Sequence, residues 1–142
     1  VADDLLLQGR NGCKVTEDVP DLKIYVELGP DAVVASVATA NLTSDDHGKL
    51  QTNEGAAGDP AARPFNLPAA VAGLKIPFYD QNGSGLRIVA AGGDTIRVGS
   101  VVSVAAGYCQ ITQLGAMIVL RAINGTEWVA EPTTDPWVIQ DS

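Results

Sequence analysis

Apolar and polar side chains alternate with a period of two along most of this chain, and helical periodicity is nearly absent. Leu22, Ile24, Val26 and Leu28 share one face of the segment 22–28, the alternation of a strand. Residues 1–30 otherwise carry mixed charges with Pro20 and Pro30 as stops. They read as an extended N-terminal arm with one strand, ended by the turn Gly29-Pro30-Asp31. A β domain is expected over 31–142.

From Val33 the chain reads as strand, turn, strand. Val33 to Thr39 is an apolar run rich in β-branched residues, Asn41 to Gly48 has turn chemistry, and Gly55 to Arg63 is a loop of Gly, Ala, Asp and Pro. Leu74, Ile76 and Phe78 alternate with Lys75, Pro77 and Tyr79. Proline cannot donate to a ladder, so Pro77 predicts an edge strand or a bulge. The turn Gln81 to Gly85 leads into Leu86–Ala90, and together these predict a hairpin. Further strands are expected at Thr95–Val98, Val101–Ala105, Tyr108–Thr112 and Ala116–Ile123. Asn124-Gly125 then signals a hairpin into Thr126–Ala130, and Pro132 to Pro136 turns the chain into Trp137–Ile139. Short strands at even spacing with glycine at the joints predict an all-β fold, a β-sandwich or a jelly-roll-like β-barrel.

Composition refines this picture. With 142 residues, one domain can bury roughly 70% of the surface of its unfolded chain and needs no metal or disulfide. Aromatics make up 5% of the sequence, so the core is expected to be filled by Val, Ile, Leu and Ala. Such small side chains favour burial against neighbouring subunits as well as within the domain. The net charge of -8 and the dispersal of the nine basic residues argue against a nucleic-acid partner, which needs clustered Lys and Arg. No run reaches the roughly 18 apolar residues of a membrane span, and Leu5-Leu6-Leu7 is too short for a signal-peptide core. Cys13 and Cys109 form no CxxC pair and are expected as free thiols.

Candidate chemistry is sparse. The single histidine, His47, lies in Asp45-Asp46-His47-Gly48; successive residues point in different directions, so a solvated turn is favoured over a metal site. Asp80 to Gly85 imitates the first half of a calcium loop, but Ala91 stands where the bidentate Glu belongs. Cys13 or Cys109 would need the fold to bring His47 to them. No nucleophile elbow or phosphate loop occurs, and Asp94 would repel phosphate beside Gly92-Gly93. Asn41-Leu42-Thr43 and Asn124-Gly125-Thr126 match the glycosylation pattern but read as turns. No catalytic, cofactor or metal residue is expected, and the chain reads as a non-enzyme.

Several stretches occur in a suggestive order: Leu42 to Leu50 (LTSDDHGKL), Thr52 to Ala56 (TNEGA), Phe65 to Ala70 (FNLPAA), Gly73 to Phe78 (GLKIPF), Leu86 to Ile96 (LRIVAAGGDTI), Gly107-Tyr108 and Glu127 to Ala130 (EWVA). This succession, over roughly residues 41 to 138, resembles a β module of tailed-bacteriophage structural proteins, which include capsid decoration (cement) proteins, head fibres and tail-associated proteins. The resemblance implies a virion component without catalytic residues. It implies a homo-oligomer, a homotrimer or a dimer, seated on the major capsid protein shell and assembled in the host cytoplasm. Leu22, Ile24, Val26 and Leu28 are then the candidate contact arm for capsid or neighbouring subunit, adding a strand to an exposed sheet edge. The alternative is a head-fibre or tail-fibre adhesin that binds host glycan through Trp128, Trp137 or Tyr79.

Overall fold

The computed structural model describes residues 32–142, and within them the strands foreseen between residues 74 and 139 form, some of them shortened. In chain order the strands are β1 (Val33–Ala35), β2 (Ala40–Asn41), β3 (Leu50–Thr52), β4 (Phe65–Asn66), β5 (Lys75–Tyr79) and β6 (Leu86–Val89). They continue with β7 (Thr95–Val98), β8 (Val101–Val102), β9 (Tyr108–Ile111), β10 (Met117–Ala122), β11 (Glu127–Ala130) and β12 (Val138–Ile139). Helix is confined, among the described residues, to single 3-10 turns at Ser44–Asp46 and Pro60–Ala62. The strands make two open mixed sheets and no closed barrel, so the all-β fold is a sandwich. One sheet has the order β1-β3-β5-β10-β11-β7-β8, and the other β12-β9-β6-β4-β2.

The first six strands alternate strictly between the sheets. β1, β3 and β5 are parallel neighbours in the larger sheet, while β2, β4 and β6 are parallel neighbours in the smaller one. The chain therefore winds as a short coil, each turn stacking on the last, in the manner of a solenoid. The second half closes the coil: β9 pairs antiparallel with β6, and β10 antiparallel with β5. β1 and β2 are left as the outer strands at the start of the coil.

This winding corrects two expectations. The turn after Tyr79 does not close a hairpin, because β5 and β6 belong to different sheets. Nor is β5 an edge strand: it lies between β3 and β10. Pro77 is accommodated by strand alternation. Lys75 donates its amide on the β3 side, to His47, so the position two residues on aims its missing N–H the same way. The β3 ladder begins only at Phe78, and at Pro77 no donor is required. Ile76 and Phe78 face β10 opposite Leu120 and Ile118. The hairpin expected at Asn124-Gly125 does form, joining β10 to β11.

Between the sheets lie Ile76, Phe78, Ile118, Leu120, Ile96 and Trp128 from the larger and Phe65, Leu86, Ile88 and Cys109 from the smaller, all buried. Phe65 and Phe78 meet edge to face with ring centroids 5.5 Å apart, a contact worth about 0.5–1.5 kcal/mol beyond its buried area. Ile, Leu and Ala make up most of this core, as expected, but valine does not: no valine is buried among the described residues, and both phenylalanines and Trp128 sit at the centre. A sandwich about 10 Å thick needs some long side chains to span it.

Candidate interaction surface

Among the described residues, several polar groups that could carry chemistry instead hold loops together. Asp80, fully buried at the end of β5, accepts four N–H donors. Its Oδ1 takes Asn53 Nδ2 at 2.7 Å and the Gly83 amide at 2.8 Å, and its Oδ2 takes the amides of Gly85 at 3.1 Å and Gln113 at 3.3 Å. A carboxylate has about four lone-pair sites, so none is left facing a cation. Asn53 completes the node by accepting from the Gln81 amide at 2.8 Å and donating to the Gly85 carbonyl at 3.0 Å.

Arg63 holds the same junction from the other side. Its Nη2 donates to the Ser84 carbonyl and hydroxyl at 2.9 and 2.8 Å and to the Gly58 carbonyl at 3.1 Å. Nη1 and Nε reach the Gly85 and Ala57 carbonyls, each at 3.3 Å. A fork of five donors on a planar group suits this task, because several carbonyls of two loops can be gathered at once. Neither Asn53 nor Arg63 stood out in the sequence. Their signal is weak: an Arg in a loop of small residues, and an Asn at a strand end.

The remaining sequence candidates are likewise separated. Asp46 accepts from the Thr43 amide at 2.8 Å, closing a capping box around the 3-10 turn, while His47 Nδ1 accepts from the Lys75 amide at 3.0 Å. Among the described residues no three His, Cys, Asp or Glu side chains converge on a metal site. Cys109 is a free, fully buried thiol. Desolvation pushes its ionisation far above the ordinary range, the reverse of what a nucleophile needs. Asp94 accepts from the Ala70 amide at 2.8 Å and so fastens the loop after β4. Trp128 is buried and offers no face to a sugar ring, which removes it from the glycan candidates. Trp137 is half-buried against the core, and Tyr79 is half-buried opposite Met117. Cys13 lies outside the described residues, as do Leu22, Ile24, Val26 and Leu28.

On the outer face of the larger sheet, charges are paired: Arg97 with Glu127 at 2.6 Å, Arg121 with Glu131 at 3.2 Å and Lys75 with Glu131 at 3.7 Å. On the smaller sheet Arg87 lies 4.1 Å from the Tyr108 ring centre and donates to Gln110. The start of the coil differs. β1 uses the carbonyl of Ala32 and the amide of Ser36 to bond β3. By alternation the N–H and C=O of Val33 and Ala35 point away from β3, into the outer edge. On β2, Ala40 and Leu42 bond toward β4, so the backbone of Asn41 faces outward in the same way. Neither outer edge has a strand partner among the described residues. Val33 is 64% exposed and Val37 63% exposed, so apolar side chains flank a backbone ladder that has no partner among the described residues. Such an edge is a template for strand addition.

No helix among the described residues is long and apolar enough to cross a membrane. Compared with models of known families, with curated proteins and with solved structures, the chain matches none.

Proposed function

We propose that this protein is a bacteriophage capsid decoration protein, binding the outer surface of the major capsid protein shell and stabilising it. The observation that carries the reading is the outer edge of β1, where Val33 and Ala35 present backbone donors and acceptors between exposed Val33 and Val37. Strand addition at such an edge gives affinity through main-chain hydrogen bonds, and alternate side chains give selectivity. The order of sequence stretches, which resembles that of phage structural modules, supports the same reading. So does the commitment of Asp80, Arg63, Asp94 and His47 to loop fastening, which leaves surface shape as the output.

In this account residues 1–30 contact the capsid or a neighbouring subunit through Leu22, Ile24, Val26 and Leu28, and the protein acts as a homo-oligomer, a homotrimer by preference. Deleting residues 1–30 tests it by co-sedimentation with capsids. Binding is expected to vanish while the β circular-dichroism spectrum persists; undiminished binding by the truncated protein would refute the arm's role. The adhesin alternative now rests on Trp137 and Tyr79 alone. It predicts glycan binding by the purified protein, lost on replacing either ring.

A further inference from the structure

We propose that Asn124 is a site of spontaneous covalent ageing that deamidates through a cyclic imide with Gly125, while the fold protects the same dipeptide at Asn82-Gly83. The two sites are a natural matched pair. Both asparagines are exposed. Asn82 Oδ1 accepts from the Ser84 amide at 2.9 Å and the Ser84 hydroxyl at 2.6 Å. Asn124 Oδ1 accepts from the Thr126 amide at 2.8 Å and the Thr126 hydroxyl at 3.1 Å. In each case the donors are placed to stabilise negative charge developing on Oδ1 when Cγ is attacked.

The sites differ at the attacking and leaving nitrogens. Deamidation begins when the amide nitrogen of the following residue gives its proton to solvent base and attacks Cγ. The N–Cγ bond forms, the Cγ–Nδ2 bond breaks, and Nδ2 departs with a proton from water as ammonia. Water then opens the five-membered imide at either carbonyl, leaving aspartate or isoaspartate. At the first site the Gly83 N–H is held by Asp80 Oδ1 at 2.8 Å, which opposes its deprotonation and movement. The leaving amide is also anchored, with Asn82 Nδ2 donating to the carbonyls of Asn53 at 2.9 Å and Ala56 at 2.7 Å. At the second site no acceptor engages Gly125 N or Asn124 Nδ2 among the described residues. A Cβ added at Gly125 would meet nothing within 4 Å beyond its chain neighbours. The product sits in the turn that fixes the register of Ala122 opposite Trp128; isoaspartate would lengthen the backbone there by one carbon.

The test follows the intact protein in mildly alkaline buffer by peptide mass and by enzymatic methylation of isoaspartate. The peptide carrying Asn124 is expected to gain one mass unit roughly tenfold or more faster than that carrying Asn82, the ratio that a barrier difference of about 1.4 kcal/mol produces. In concentrated urea the two rates are expected to converge. Gly125→Ala is expected to slow the native reaction, since a side chain hinders attack by that nitrogen. Equal native rates, faster change at Asn82, or a native ratio that survives in urea would each overturn the proposal. So would a rate unaffected by Gly125→Ala. A third Asn-Gly pair, Asn11-Gly12, lies outside the described residues and is followed by its own peptide.

Discussion

The side-chain amide of Asn53 and the carboxylate of Asp80, 27 residues apart in sequence, meet at 2.7 Å in the fully buried interior. Asn53 follows β3 and Asp80 follows β5, so this bond ties successive turns of the coil at the end where the chain crosses between sheets. Asp80→Ala would orphan donors from Asn53, Gly83, Gly85 and Gln113. Each buried donor left unpaired costs about 1–3 kcal/mol, so a loss larger than that of any single one is expected, read as a lower midpoint in urea. Asn53→Ala should cost less, about 1–3 kcal/mol, and the double variant should fall short of the sum because both act on one network. A midpoint unchanged by Asp80→Ala would show the node to be dispensable.

Two glycines with similar positive φ separate conformational strain from collision. Gly73 has φ +96 with nothing near a would-be Cβ, whereas Gly85 has φ +92 and a Cβ would lie 2.8 Å from the Ile111 carbonyl oxygen. Gly73→Ala is expected to cost about 1 kcal/mol, from the left-handed backbone alone. Gly85→Ala adds a backbone collision at the Asp80 node, and a further loss of roughly 1–3 kcal/mol is expected. Thermal unfolding of the two variants ranks them; equal losses would contradict the packing described.

His47 completes the strand ladder of β5 where β3 has not yet begun. Its Nδ1 accepts the Lys75 amide, and the neighbouring Gly48 amide donates to the Lys75 carbonyl at 2.8 Å. His47→Leu removes the acceptor and should cost about 0.5–1.5 kcal/mol. His47→Asn, whose Oδ1 can take the place of Nδ1, should restore most of it. Equal stability of the Leu and Asn variants would show that the hydrogen bond contributes nothing.

Cys109 gives stability a dependence on alkaline pH. Burial raises the thiol's ionisation in the native state well above the unfolded value of 9.0. Below 9.0 both states keep the proton, and this thiol contributes no pH dependence. Above that value the unfolded chain releases a proton that the folded chain retains, so stability falls as pH rises, by up to about 1.4 kcal/mol per pH unit. Cys109→Ala should show a shallower alkaline slope in denaturant titrations. Parallel slopes would contradict the enclosed thiol, as would rapid modification of native Cys109 by a thiol reagent.

Strand positions were legible in the sequence where apolar and polar residues alternated, as around Ile76 and Phe78, or where a longer apolar run ended at a turn signal, as at Ala116 to Ile123 before Asn124-Gly125. β2, β3 and β4 were not foreseen, because two or three residues such as Phe65-Asn66 carry no measurable period. The parallel coil was hidden for a different reason. The turn Gln81 to Gly85 has hairpin composition, but whether its flanking strands pair or part is decided by Asp80, Asn53 and Arg63, which act across distant segments. Pro77 misled for a related cause: proline excludes a ladder bond on one side of a strand only, and alternation spares the other. At the proposed surface, the exposure of Val33 and Val37 could not be told from core burial, since both belong to one apolar run. Only the topology reveals that β1 lies outermost.

The most direct measurement is an electron-microscopy map of the phage particle on which this protein is proposed to sit. For a decoration protein, the β-sandwich is expected as symmetric oligomers on the outer surface of the head, with the β1 edge and residues 1–30 in contact with the major capsid protein or an adjacent copy. Density at the tail tip with none on the head, or a head contact made through the opposite, β8 and β12 side of the sandwich, would contradict it.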